Sequence, residues 1–160
     1  MSYATGKTYI YHTTDIENGP WEKITIDECF HDMSLLFDDD RVFVVYGGGQ
    51  IWCVELKADL SGIIEGTKRV IIENAGLLEG CLAEGAHIYK IDGFYYLFII
   101  TWPPNSRRTQ LCYRSESIDG EWERKVVLDD NMGFHNAGVA QGGIIDTHDG
   151  RWYSILFQDH

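Results

Sequence analysis

Asp32, Glu84 and Gln141 are polar residues that fall at one phase of a long repeat. Asp32 lies nine residues before Arg41, Glu84 nine before Gly93, and Gln141 nine before Gly150. Each of these second positions follows an Asp and opens a β-prone run, such as Arg41-Val42-Phe43-Val44-Val45-Tyr46 or Gly93-Phe94-Tyr95-Tyr96-Leu97-Phe98. If equivalent positions of successive repeats gather around an axis, Asp32 and Glu84 face each other. Two carboxyls held close cannot easily both ionise, so one keeps its proton and serves as a general acid. The same phase places Gln141 beside them as a substrate-binding residue.

The elements that would position these residues are short strands. The turn positions Arg41, Gly93 and Gly150 are separated by 52 and 57 residues. A period near 50 residues built from strands is the signature of a β-propeller blade. Asp38-Asp39-Asp40, Asp92-Gly93 and Asp149-Gly150 supply residues that tolerate turn dihedrals. A second copied device, Gly-Pro-Trp-Glu at Gly19–Glu22 and Gly-Glu-Trp-Glu at Gly120–Glu123, places Trp21 and Trp122 101 residues apart, two periods. The expected order is an all-β chain with a half blade over 1–28, full four-stranded antiparallel blades over 29–80 and 81–133, and a half blade over 134–160. The inner strands of the full blades are expected at Met33–Phe37 and Ala86–Ile91.

Composition narrows the function. The net charge is −12, and the basic residues cluster no further than the pairs Lys68-Arg69, Arg107-Arg108 and Arg124-Lys125, which argues against nucleic acid as a partner. No apolar run reaches the roughly 18–20 residues of a membrane span, and no charged-then-apolar leader opens the chain, so the expectation is a cytoplasmic protein without a membrane partner. Cys29, Cys53, Cys81 and Cys112 form no CxxC pair and are expected as reduced, mostly buried thiols.

Other residues extend the candidate site. Trp102, before Pro103-Pro104, offers an aromatic face on which a sugar ring can stack. His31 neighbours Asp32, and His135 and Asn136 precede the last inner strand; all are expected to contact substrate. The Asp38–Asp40 run offers oxygens to calcium but is expected as a solvated turn.

At these residues the sequence resembles glycoside hydrolase family 43. The matching segments are His31-Asp32-Met33-Ser34-Leu35-Leu36-Phe37-Asp38-Asp39-Asp40, Glu84-Gly85-Ala86-His87-Ile88-Tyr89-Lys90-Ile91-Asp92-Gly93-Phe94-Tyr95-Tyr96, Tyr113-Arg114-Ser115 and Gln141-Gly142-Gly143-Ile144-Ile145-Asp146-Thr147. The resemblance implies a partial five-bladed propeller and inverting hydrolysis of β-xylosidic or α-L-arabinofuranosidic bonds in hemicellulose oligosaccharides. It implies Glu84 as general acid and Asp32 as the acid that orients it and tunes its pKa. It implies no required cofactor, and a structural calcium with His160 at its site. The family has Pro where this chain has Met33.

The family's general base is an Asp near the start of the first blade, and Asp15 and Asp27 match neither its motif nor its phase. The base is therefore expected from outside this chain. A truncated or assembling glycosidase follows, completed as a homo-oligomer or by a complementing chain. The alternative is a catalytically impaired propeller fragment that binds carbohydrate or protein.

Overall fold

The computed structural model describes residues 3–131, 133 and 138–158, with no side-chain description at 139, 140, 157 and 158. Every regular element among the described residues is a β-strand. β1 (Thr8–His12) and β2 (Glu22–Ile26) form a two-stranded antiparallel sheet. β3 (Ser34–Asp38), β4 (Arg41–Tyr46), β5 (Ile51–Leu56) and β6 (Arg69–Ile72) form a four-stranded meander. β7 (Leu82–Ile91), β8 (Phe94–Trp102), β9 (Thr109–Ser115) and β10 (Glu123–Leu128) form another. β11 (Val139–Asp146) and β12 (Trp152–Gln158) close the order as a two-stranded sheet.

Sequence chemistry explains this arrangement. After Arg41, β4 carries only β-branched and aromatic residues, and every one of them is buried. Burial on both faces fits a strand in the middle of a blade that is itself sandwiched between blades. β10, on the outer edge, is almost wholly exposed. The Asp92-Gly93 hairpin has positive φ at both central residues, 50° and 81°, as the turn matching strand twist requires.

Two apolar layers join the sheets. Phe30, Val42, Val44 and Leu56 pack with Ile10 and Ile26 of the first sheet, while Phe43, Val45 and Ile51 pack with Ala86, Leu97 and Leu111 of the third. Phe30, Phe43, Leu97 and Leu111 are fully excluded from solvent, and burying each such side chain contributes roughly 1.5–3 kcal/mol. The inner strands β3, β7 and β11 pack side by side. The Ile88 N–H of β7 donates to Ser34 Oγ of β3 at 3.2 Å, and the Ile144 N–H of β11 donates to Tyr89 Oη of β7 at 3.0 Å. The phase relationship in the sequence thus becomes adjacency in space, with three blades meeting along one line of inner strands.

Two expectations are corrected. β7 begins at Leu82, four residues before the expected Ala86, so Glu84 lies inside the strand rather than in the loop ahead of it. A register shift between Glu84 and His87 allows this, because the bulge absorbs the bend without ending the pairing with β8. Asp38 is not part of a solvated turn. It is buried and accepts hydrogen bonds from Lys90 Nζ and Tyr95 Oη of the next blade. Burial by itself would raise its pKa, but those two bonds and the charges of Lys90 and Arg41 outweigh it and hold the carboxyl below its ordinary value.

Candidate active site

Asp32 sits two residues ahead of β3, in a turn where its φ is 46°. This left-handed conformation is tolerated best by Asp and Asn among residues with side chains. Glu84 is the third residue of β7 and pairs with Ile100 of β8. His31 lies between them. Its Nε2 is 3.1 Å from Glu84 Oε2, and its Nδ1 is 3.8 Å from Asp32 Oδ1. One donor atom from each of the three residues lies within 4.8 Å of the other two. Glu84 and Asp32 side chains are each 21% exposed, so both reach solvent while being largely enclosed.

The loop Gly47–Gly49 ties the pair together. Gly47 N–H donates to the His31 carbonyl at 2.9 Å, and Gly49 N–H donates to the Ala83 carbonyl at 2.7 Å. His31 and Ala83 are the residues immediately before Asp32 and Glu84. One loop from the β4–β5 hairpin therefore fixes the backbone ahead of both acids.

The bulge in β7 has a second effect. Glu84 pairs with Ile100 and His87 with Phe98, so three steps on β7 match two on β8. Residues two apart on a strand share a face, so Glu84 and His87 come to one side of the sheet. His87 is largely buried. Its desolvation lowers its pKa below the ordinary value, and the charge of Asp32 opposes the shift. The bulge depends on Gly85, whose φ is 74°. Gly85 lies against Gln141, which brings that residue beside the acid it matches in phase.

Of the sequence-predicted residues, Asp32, Glu84 and His31 are brought together, and Gln141 adjoins them. Trp102 ends β8 opposite Leu82, on the same sheet face as Glu84 by cross-strand pairing. The Arg108 guanidinium stands 5.2 Å from its ring centre. His135, Asn136 and His160 lie outside the described residues. Sequence reading missed Tyr3, whose hydroxyl bonds His31 Nδ1, because Tyr3 precedes the first strand and has no counterpart in the repeat. It also missed His87 as a neighbour of Asp32, because a regular strand would send positions 84 and 87 to opposite faces.

A cleft of about 480 Å³ lined by Gly48, Gly49, Gln50, Asn74, Cys81 and Leu82 adjoins this group. Gly48 belongs to both regions, since a side chain there would begin 3.5 Å from the His31 ring. Calcium takes six to eight oxygen ligands, and two carboxyls with an imidazole already bonded to one of them do not fit that demand.

A family model, glycosyl hydrolases family 43, matches residues 1–159. The chain belongs to that family. A β-xylosidase of Formosa agariphila is 26% identical over 96% of this chain and 32% of its own length. A xylosidase/arabinosidase of Humicola insolens is 29% identical over 96% of this chain and 31% of its own. A solved bifunctional GH43-CE protein of Bacteroides eggerthii superposes with a TM-score of 0.88, at 44% identity, over 97% of this chain and 20% of its own. The chain thus spans about a third of the length of these curated relatives. Its two four-stranded and two two-stranded sheets are a partial five-bladed propeller of family 43.

Proposed function

We propose that this chain carries the acid half of an inverting glycosidase site that cleaves β-xylosidic or α-L-arabinofuranosidic bonds in hemicellulose oligosaccharides. The observation that supports this reading is the meeting of Glu84 and Asp32, from two different blades, within 4.8 Å and beside His31. Glu84 donates its proton to the glycosidic oxygen as the bond to the sugar breaks. Asp32 stands on the other side of the His31 ring from Glu84 and orients the acid through that ring. The family's xylosidase and arabinosidase members support the substrate class.

The pair is not an acid and base of an inverting reaction. Those stand about 6.5–9.5 Å apart to admit a water between them, and Asp32 is too close to Glu84. Asp15 and Asp27 are engaged elsewhere: Asp15 accepts the N–H groups of Glu17 and Asn18, and Asp27 pairs with Lys7. The base comes from a part of the propeller outside the two four-stranded blades, through a longer polypeptide or a second chain. The adjoining cleft accommodates further sugars, and Trp102 offers a stacking face on the side of Glu84.

The test is hydrolysis of nitrophenyl β-xyloside and nitrophenyl α-L-arabinofuranoside by the protein and by its Glu84→Ala variant. Turnover that falls by about 10²–10⁴-fold in the variant supports the reading. Turnover unchanged in the variant contradicts it.

A further inference from the structure

Resting on that reading, we propose that His31 and Tyr3 form a proton relay that reloads Glu84 from solvent after each turnover. Three observations carry it. His31 Nε2 faces Glu84 Oε2 at 3.1 Å. The opposite ring nitrogen, Nδ1, is bonded to Tyr3 Oη. Tyr3 is 66% exposed against 21% for the Glu84 side chain, so the far end of this hydrogen-bonded chain is the more open to water. Carboxyl, imidazole and phenol thus form a continuous chain of hydrogen bonds running from the acid to the surface.

Each member can both donate and accept, so the chain has two polarities. When Glu84 is ionised, Tyr3 O–H donates to Nδ1, and Nε2–H donates to the carboxylate. When Glu84 is loaded, its O–H donates to Nε2, Nδ1–H donates to Tyr3 Oη, and the Tyr3 proton points to water. Reloading moves one proton along each bond. Nε2–H passes to Glu84, the Tyr3 proton passes to Nδ1, and a proton from water replaces it on Tyr3. One proton enters from solvent, one arrives at Glu84, and no net charge is left on His31 or Tyr3. Before the next turnover the ring returns to Nε2–H by giving its Nδ1 proton to water and taking one from water at Nε2, the His31 side chain being 40% exposed.

The surrounding charges favour this use. Asp32 Oδ1 lies 3.8 Å from Nδ1, so a proton on that nitrogen, the loaded arrangement, is stabilised. Desolvation, and then the negative potential of Asp32, Cys29 and Glu84, raise the Tyr3 pKa, which keeps the hydroxyl neutral and able to donate. His87, the other imidazole near Asp32, is disfavoured as a cation by its burial. His31 is a positioning residue that acts through Glu84.

The competing arrangement has the same number of protons. An imidazolium–carboxylate pair, His31⁺ with Glu84⁻, would store the proton on His31 and leave Glu84 unloaded. Because the two arrangements hold the same number of protons, a titration midpoint alone does not separate them. The ¹⁵N shifts of the His31 ring do. With ¹⁵N-histidine labelling, the relay predicts a change from the Nε2–H to the Nδ1–H tautomer as the pair takes up its proton. Glu84→Gln abolishes that pH-linked change while the backbone amide spectrum stays that of the folded protein. Tyr3→Phe moves its midpoint by roughly half a pH unit, the order expected for one hydrogen bond. A doubly protonated ring, or one tautomer throughout the Glu84 titration, would overturn the relay. An unchanged midpoint in Tyr3→Phe would overturn the path through Tyr3. The measurement needs no substrate, so a missing switch leaves the glycosidase reading standing, and turnover that Glu84→Ala leaves unchanged, beside an intact switch, removes that reading instead.

Discussion

A side chain on Gly85 would begin 2.9 Å from the Cβ of Gln141, closer than carbon atoms pack. The two residues belong to the inner strands β7 and β11, and their contact sets how closely those strands approach beside Glu84. The φ of 74° at Gly85 also costs a residue with a Cβ about 1–2 kcal/mol. Gly85→Ala is therefore expected to lower the unfolding free energy measured in urea by about that much and to reduce turnover further by displacing Glu84. An alanine variant with wild-type stability and activity would show that the contact does not position the acid.

Asp38 gives a pH prediction with a defined sign. Its folded-state pKa lies below the unfolded value of about 3.9. Its contribution is therefore present above pH 4 and is lost as pH falls through the lower folded pKa. Asp38→Asn is expected to cost about 1.5–3 kcal/mol at pH 7, because Lys90 and Tyr95 lose a charged acceptor. The deficit should shrink on acidification towards pH 2. Urea unfolding of both proteins between pH 2 and 7 checks it, and a deficit independent of pH would contradict it.

His87 has the same sign of proton balance, but nearer neutrality. Its desolvated ring is neutral in the fold at a pH where the unfolded chain, with a pKa of about 6.5, takes up a proton. Stability is expected to decline as pH falls below 6.5, because the unfolded state binds more protons there. His87→Gln should remove that part of the slope between pH 5 and 7. An identical slope in the variant would place the proton uptake elsewhere.

The thiols yield a chemical prediction. Burial pushes the Cys53 pKa up to about 12 and that of Cys112 up to about 11. Thiolate is the reactive form, so both should resist a disulfide reagent at pH 8 and react once urea unfolds the chain. Mass spectrometry of the labelled peptides reads this directly, and fast labelling of Cys53 in the folded protein would contradict its burial.

Much of this architecture was legible because propeller blades repeat their turn chemistry. Asp-Gly hairpins and β-branched runs at fixed spacing placed the two whole blades, and the shared phase of Asp32 and Glu84 brought them together. Sequence periodicity could not show the bulge at Gly85, because an inserted residue shifts the alternation without changing composition. That one residue moves the start of β7 to Leu82 and turns His87 towards the face of Glu84. Nor could local patterning reveal that Asp38 faces a lysine 52 residues away, since the partner lies on the neighbouring blade. Tyr3 illustrates the same limit: its role follows from where the chain before β1 lies, and no repeat marks it.

The central claim is that Glu84 protonates the departing group. The most direct measurement is kcat/KM for aryl β-xylosides of graded leaving-group acidity, compared between the protein and Glu84→Gln. A good leaving group departs without help, so the variant should lose about 10²–10⁴-fold on a poor one such as phenyl and far less on dinitrophenyl. Equal losses on both substrates, or none on either, would contradict the assignment of Glu84 as the acid.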